Sequence, residues 1–362
     1  MTVFDIAQQR LHNERLIGPP FPKPEDVVQW LGAVQAQDYA GAKWAIGQRV
    51  KNCLDAAVEQ AYVDGRILRT HVMRPTWHFV MPADIRWMLQ LTAPRVKKAM
   101  AYYDRKLELD DTVFRRANAA ITRALQGGKH RTRTELGRVL EEAGITAGGQ
   151  RLGYIIMGAE LDALICSGVL RGKQHTYALL DDRAPRARTR ARDEALAELT
   201  KRYFSSHGPA LVQDFAWWAG LNVADARSGI EMAKPLLLSE TLDRKTYWFA
   251  SSSASPKLPD PTVHLLPNYD EYLIAYRDHS PSLDRSLPAD SAVLNDVLAR
   301  HFIALNGRVI GGWRNVPARN EVVIETKLLV PLNLVQTEAL QAEADRYSRF
   351  LAKPVKVRAT QP

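Results

Sequence analysis

One feature constrains this chain more than any other: a helical segment followed by a hairpin recurs along it. Two or three short amphipathic helices and then a pair of short strands around a polar turn occur roughly three times, and such repetition is the mark of a modular fold. The second copy is the clearest. Residues 134–142 and 151–165 carry helical apolar spacing, and 169–180 reads as a hairpin whose turn, Gly172-Lys173-Gln174, is basic. Helices that lead into a basic hairpin describe a winged helix. The third copy runs from Glu194 through Phe215-Ala216-Trp217-Trp218 to Tyr247-Trp248-Phe249, and its Thr246-Tyr247 echoes Thr176-Tyr177. The first is looser: 5–15, 25–34 and 54–64 look helical, and 69–81 supplies a strand pair in which Pro75 argues against a regular central strand. An arginine-rich stretch at 183–192 reads as a linker and helix start.

From about residue 255 the texture changes to Pro-rich turns and strands. Asn306-Gly307 between apolar runs is the strongest short-range hairpin signal, and 335–352, with Leu340, Ala344, Tyr347 and Leu351 on one face, predicts a closing amphipathic helix. The expected fold is therefore α+β, with about three tandem winged-helix modules and a small β-barrel-like C-terminal domain. The boundaries are read as 1–110, 111–183, 184–252 and 253–362, four segments where 362 residues alone suggest two or three domains.

Composition narrows the function. Lys plus Arg (49) exceeds Asp plus Glu (40), giving a pI near 9.5, which favours an anionic partner such as nucleic acid. Two cysteines, Cys53 and Cys166, both in apolar surroundings, supply neither a disulfide framework nor a CxxC site. The first ten residues lack a signal-peptide core and no stretch approaches about 18 consecutive apolar residues, so a cytoplasmic, nucleoid-associated protein is expected. HExxH and GxSxG motifs are absent, and Gly168–Lys173 resembles a phosphate loop only loosely. His71, His78, His175, His207, His264, His279 and His301 are scattered singly, so no metal site is expected.

What stands out is Val34-Gln35-Ala36-Gln37-Asp38, two glutamines flanking one small apolar residue directly after an apolar helix. On a helix, residues i and i+2 point far apart, so an extended or helix-terminating backbone is needed to aim both amides to one side. Gly32 before and Gly41 after allow that break. Convergent carboxamides can hold a water or read a base edge.

This segment, with Trp44–Arg49, Arg74-Pro75-Thr76-Trp77-His78, Leu265–Leu273 (containing Pro267, Asp270 and Glu271) and Arg308–Arg314, in that order, resembles the AlkZ-like winged-helix DNA glycosylases over nearly the whole chain. The resemblance implies tandem winged helices and a β-barrel in a C-shape around DNA, with a Gln-x-Gln or Gln-x-Asp motif in the catalytic site. It implies release of N7-alkylated purines and, in the Gln-x-Gln branch, unhooking of interstrand crosslinks. On that basis Gln35 and Gln37 are the catalytic pair, and Arg74, Thr76 and His78 form the Arg-x-Thr-x-His element, with Pro75 and Trp77 where Gly and Leu are often found. Asp270 falls in the Pro-x-x-Asp segment as a catalytic or a barrel-structuring residue, and Trp44 and Trp77 are candidates for stacking beside the site. Trp87, Trp217 and Trp218 read as core.

The residue types suit the chemistry. An N7-alkylpurine is already cationic and departs as a neutral base, so the enzyme need mainly position water at C1′ and stabilise an oxocarbenium-like transition state. Glutamine orients water but does not deprotonate it, which would restrict the enzyme to labile, positively charged lesions. A crosslinked base cannot rotate fully into a deep pocket, so an open site is expected. Arg171, Lys173, Arg188, Arg190, Arg244 and Lys245 are candidate phosphate contacts. No lysine nucleophile stands out, so a monofunctional glycosylase without lyase activity is expected, cofactor-independent and acting on double-stranded DNA; with no long exposed heptad or obvious dimer helix it is expected to be a monomer. The rival is a noncatalytic winged-helix DNA-binding protein that regulates or sequesters; a hydrolase using Asp270 and Glu271 is disfavoured, since adjacent residues on a strand point to opposite faces.

Overall fold

The computed structural model describes residues 3–251, 260–283, 300–319 and 321–360. The chain forms two compact units, one from 1–59, 197–218 and 223–362 and the other from 60–196 and 219–222. These units cut across the four segments read from the sequence; the second segment lies whole inside the second unit, and the boundary at 252/253 lies outside the described residues.

The first unit opens with α1 (Val3–Asn13), α2 (Pro24–Leu31), β1 (Val34–Gln35), α3 (Tyr39–Gly47) and α4 (Asp55–Val63), within which the chain passes to the second unit. Pro24 at the first turn of α2 sets φ where no N–H is needed, and Gly32, at φ 81°, ends the helix. Asp38 caps α3 by accepting from the Gly41 N–H at 3.1 Å. The two-residue extended stretch β1 is thus pinned between a helix stop and a helix start only a few residues apart.

In the second unit β2 (Leu68–His71) and β3 (Trp77–Val80) form an antiparallel hairpin in which Thr70 faces His78 and His71 faces Trp77. Pro75 sits in the exposed connecting loop, so the strands expected at 69–81 form on either side of it. There follow α5 (Ile85–Lys106), α6 (Asp111–Leu125), β4 (Arg131–Thr132), α7 (Arg133–Glu142), α8 (Gly149–Leu161), β5 (Ile165–Arg171), β6 (Gln174–Leu179) and α9 (Leu180–Arg183). Thr132 and Glu135 make a reciprocal capping box at α7, and the three short strands join in the order β4-β6-β5. Leu125, Leu136, Leu140, Ile155 and Ile165, all fully buried, fill the space between helices and sheet, each contributing about 1.5–3 kcal/mol of burial.

The chain returns through α10 (Arg192–Ser206), α11 (Val212–Ala219), α12 (Val223–Ala233) and the hairpin β7 (Leu237–Leu242) and β8 (Lys245–Ala250). Next come β9 (Val263–Leu266), α13 (Glu271–Ile274), β10 (His301–Leu305), β11 (Arg308–Pro317), β12 (Val322–Leu328), α14 (Leu334–Leu351) and β13 (Val355–Thr360). Asn306 and Gly307, at φ 49° and 81°, make the expected turn between β10 and β11. The C-terminal sheet has the order β13-β12-β11-β10-β9, with β12 and β13 parallel. Among the described residues its two outer strands, β13 and β9, are not joined to each other, so the expected barrel is an open half-barrel. Its last strand was not read from the sequence, being short and paired only after α14 has carried the chain back. α14 packs on β9, β13 and α3, where Phe350 lies so close to Gly47 that a Cβ there would meet its ring at 2.4 Å.

Candidate active site

β1 places Gln35 and Gln37 differently: Gln35 is buried and Gln37, two residues on, is exposed. The Gln35 backbone N–H donates to Glu271 Oε1 at 2.7 Å across 236 residues of sequence. The other Glu271 oxygen accepts from Trp218 Nε1 at 2.8 Å and lies 3.6 Å from His207 Nε2. Glu271 and His207 are fully buried, and that burial pushes the His207 pKa below its ordinary value, against the pull of Glu271. The Tyr203 ring stacks on His207 at 5.0 Å. The glutamine segment therefore rests on a buried carboxylate that is itself held from two sides.

Asp270 precedes Glu271 as the N-cap of α13, accepting from the Tyr272 N–H at 3.0 Å. Both its oxygens also take the Arg49 guanidinium, at 2.9 and 3.0 Å. Arg49 donates further to Glu14 Oε2 at 3.1 Å and to the Glu14 and Ala45 carbonyls, and Tyr276 donates to Glu14 Oε1 at 2.9 Å. All four side chains are fully buried. Burial raises the Glu14 pKa to about 8, although Arg49 opposes this. Burial works against the Arg49 charge, but Asp270, Glu14 and Glu271 together more than offset it and the pKa is raised. A buried aspartate that caps α13 and takes the Arg49 guanidinium on both oxygens ties together the chain between β9 and α13. Asp270 and Glu271 start a helix, so the strand argument applied to them does not hold; both are buried and hydrogen-bonded.

Trp44 corrects a second expectation. Its ring is 2% exposed, donates Nε1 to the Leu265 carbonyl at 2.7 Å and packs against Tyr347 and Phe350 at 4.9 and 5.0 Å. It belongs to the core between α3, α14 and the half-barrel and cannot stack on a base. Trp87 and Trp218 are core as expected, whereas Trp217 is 46% exposed with its Nε1 donating to the Ile274 carbonyl at 3.0 Å.

Arg74, Thr76 and His78 lie together in the second unit, Arg74 and Thr76 in the β2–β3 loop and His78 on β3. The loop is tightly folded: Met73 takes φ 64°, and the Arg74 and Thr76 N–H groups each donate two residues back at 2.7 Å. Gly220, at φ 64°, fits against it because any Cβ would lie 1.7 Å from the Met73 carbonyl oxygen. His78 is fully buried with Nδ1 3.0 Å from the Thr76 carbonyl oxygen, while Trp77 projects from the opposite face.

The candidate phosphate contacts divide by their surroundings. Arg171 is tied to Glu135 at 2.7 Å and to the His130 carbonyl, Lys245 to Asp278 at 2.6 Å, and half-buried Arg190 lies 5.7 Å from the Trp87 ring. Lys173, Arg188 and Arg244 are exposed and make no ion pair among the described residues. Among the described residues no group of three or more His, Cys, Asp or Glu could hold a metal, and no helix is long and apolar enough to cross a membrane.

Comparison with known proteins settles the family. The family described as "DNA glycosylase AlkZ-like" matches residues 28–350. This chain belongs to the AlkZ-like DNA glycosylases. The "Interstrand DNA cross-link repair glycosylase" of Streptomyces sahachiroi is 24% identical over 370 residues, spanning 93% of this chain and 94% of that protein. The solved structure of the Streptomyces sahachiroi DNA glycosylase AlkZ shares the fold with a TM-score of 0.78 at 20% identity, covering 99% of this chain and 100% of that one. An AlkZ-like glycosylase is a hydrolase of N-glycosyl bonds, so the reading as a noncatalytic DNA-binding protein gives way. Sequence reasoning missed Glu271 as the support of the glutamine segment and Arg49 and Glu14 as the partners around Asp270. Glu271 lay next to an aspartate already singled out, but no local signal ties it to Gln35.

Proposed function

We propose that this enzyme is a monofunctional glycosylase for N7-alkylated purines, bulky adducts and interstrand crosslinks included, in which Gln35 and Gln37 position the attacking water. The observation that carries this reading is the pairing of a glutamine segment, fastened through its backbone to Glu271, with Asp270 and Glu271, which are buried and hydrogen-bonded. Glutamines can orient water but not deprotonate it, which suits a leaving group that already carries positive charge. The crosslink part of the reading draws support from the activity named for the Streptomyces sahachiroi relative.

Arg74, Thr76 and His78 act as pocket or supporting residues in the second unit, His78, which is fully buried, as a support. Tandem winged-helix modules present Lys173, Arg188 and Arg244 to the phosphates of double-stranded DNA, and the enzyme works as a monomer without a cofactor. The test is single-turnover base release from a duplex carrying one N7-methylguanine and from one carrying an interstrand N7 crosslink. Wild type releases the base from both, and Gln35→Ala and Gln37→Ala lose rate while keeping DNA affinity. Tight binding by wild type with release of neither lesion overturns the assignment.

A further inference from the structure

A cavity of about 410 Å³, inside the range of about 300–1,000 Å³ typical of small-molecule sites, lies wholly within the second unit and plays no part in the proposed attack by water. The β2–β3 register places His71 opposite Trp77, so both side chains leave the same face of the hairpin and line this cavity. Met100 and Tyr103 reach it from α5, and Tyr154 and Met157 from α8.

Arg133 and Gln150 also line the cavity, and His71 is the polar lining residue held by a buried carboxylate. Its Nδ1 lies 2.5 Å from Glu160 Oε2, and Glu160 is fully buried with Oε1 lacking any hydrogen-bond partner. A carboxylate only accepts, so Nδ1 carries the hydrogen, and in that tautomer Nε2 is the acceptor. Nε2 makes no hydrogen bond to the protein among the described residues. This is the arrangement by which proteins fix an imidazole for an incoming group: a buried carboxylate behind, one ring nitrogen free in front. The walls are aromatic. The Trp77 ring centroid lies 4.3 Å from that of His71, and the Arg69 guanidinium 4.4 Å from the Trp77 ring. Tyr103 is 46% exposed and lies 5.9 Å from Tyr154. A pair serving stability alone would leave no reason to keep an acceptor at the edge of an open, aromatic-walled space.

The geometry points to a binding site for a planar heteroaromatic ring of purine size, its faces against Trp77, Tyr103 and Tyr154 and an N–H donated to His71 Nε2. Two flexible methionines complete the wall and adapt to the ring edge. The site accepts the free base and needs neither DNA nor an intact glycosidic bond.

The test uses the full chain labelled with ¹³C at its methionine methyls, with the Met100 and Met157 signals assigned through Met100→Leu and Met157→Leu. Adenine and 7-methylguanine are titrated in separately. Both methyls shift saturably with at least one base, and His71→Phe, which keeps a ring but loses the acceptor, weakens binding tenfold or more. Glu160→Gln weakens it as well; where that variant fails to fold, as judged by its methyl spectrum, His71→Phe decides alone. Absence of a saturable shift at Met100 and Met157 with either base, or unchanged affinity in His71→Phe, overturns the proposal. Because no base release is measured, this result and the glycosylase assay fail or succeed separately.

Discussion

Glu271→Gln probes the joint between scaffold and glutamine segment. The carboxylate accepts from the Gln35 N–H at 2.7 Å on one oxygen and from Trp218 Nε1 at 2.8 Å on the other. A carboxamide of the same shape has one oxygen, so one of the two donors must face an NH₂ group. A buried donor left unsatisfied costs about 1–3 kcal/mol, which for a unit of this size lowers Tm by about 2–12 °C. The volume is unchanged, so no cavity adds to this. The functional effect is sharper, since misplacing a reacting group by about 1 Å can cost about 100-fold. Single-turnover release from an N7-methylguanine duplex, measured well below the variant's Tm, is expected to fall about 10- to 100-fold with DNA affinity little changed. Urea unfolding run in parallel separates instability from misplacement. A folded variant that releases the base within about threefold of the wild-type rate refutes the positioning role of Glu271.

Four further outcomes follow. Burial pushes the His264 pKa down to about 3, and among the described residues neither ring nitrogen has a hydrogen-bond partner, so the unfolded chain binds its proton first as pH falls from about 6.5. Stability is lost across that window, by up to about 5 kcal/mol at its foot, and urea unfolding of His264→Phe should show a flatter acid limb. Glu14, raised by burial to about 8, has the opposite sign: its contribution is full below about pH 4.5 and lost as pH rises through 8, so Glu14→Gln should flatten that limb. Gly220→Ala drives a Cβ into the Met73 carbonyl at a positive φ and is expected to cost more than about 3 kcal/mol, against about 1–3 for Gly47→Ala, where the Phe350 ring can shift; equal urea midpoints would contradict this order. Lys173→Ala and Arg244→Ala should each lower the slope of log affinity against log salt by about 1, while Arg171→Ala, already paired with Glu135, changes it less.

The local geometry was legible because short-range rules suffice for it. Asn306-Gly307 is a turn since only such residues tolerate two successive positive φ angles, and residues 165–179 form a hairpin by strand alternation around Gly172. The break in the helix at Gly32 and the cap at Asp38 likewise follow from adjacent residues, which is why Gln35 could be placed on extended backbone. Which aromatic rings are buried was legible only in part: Trp44 and Trp217 exchanged the roles expected of them, because helical periodicity says that a face is buried and not what covers it. Nothing local distinguishes Arg49, Glu14 and Glu271 from solvated surface charges. Their meaning comes from partners up to 236 residues away, brought together only when α13 docks against β1 and α3. Propensity and capping energies act over a few residues, whereas burying a charge is tolerable only where a distant partner of opposite sign arrives with the right geometry. The sequence by itself determined the elements, the turns and the family; tertiary packing alone decided which charges became the scaffold beneath the glutamines.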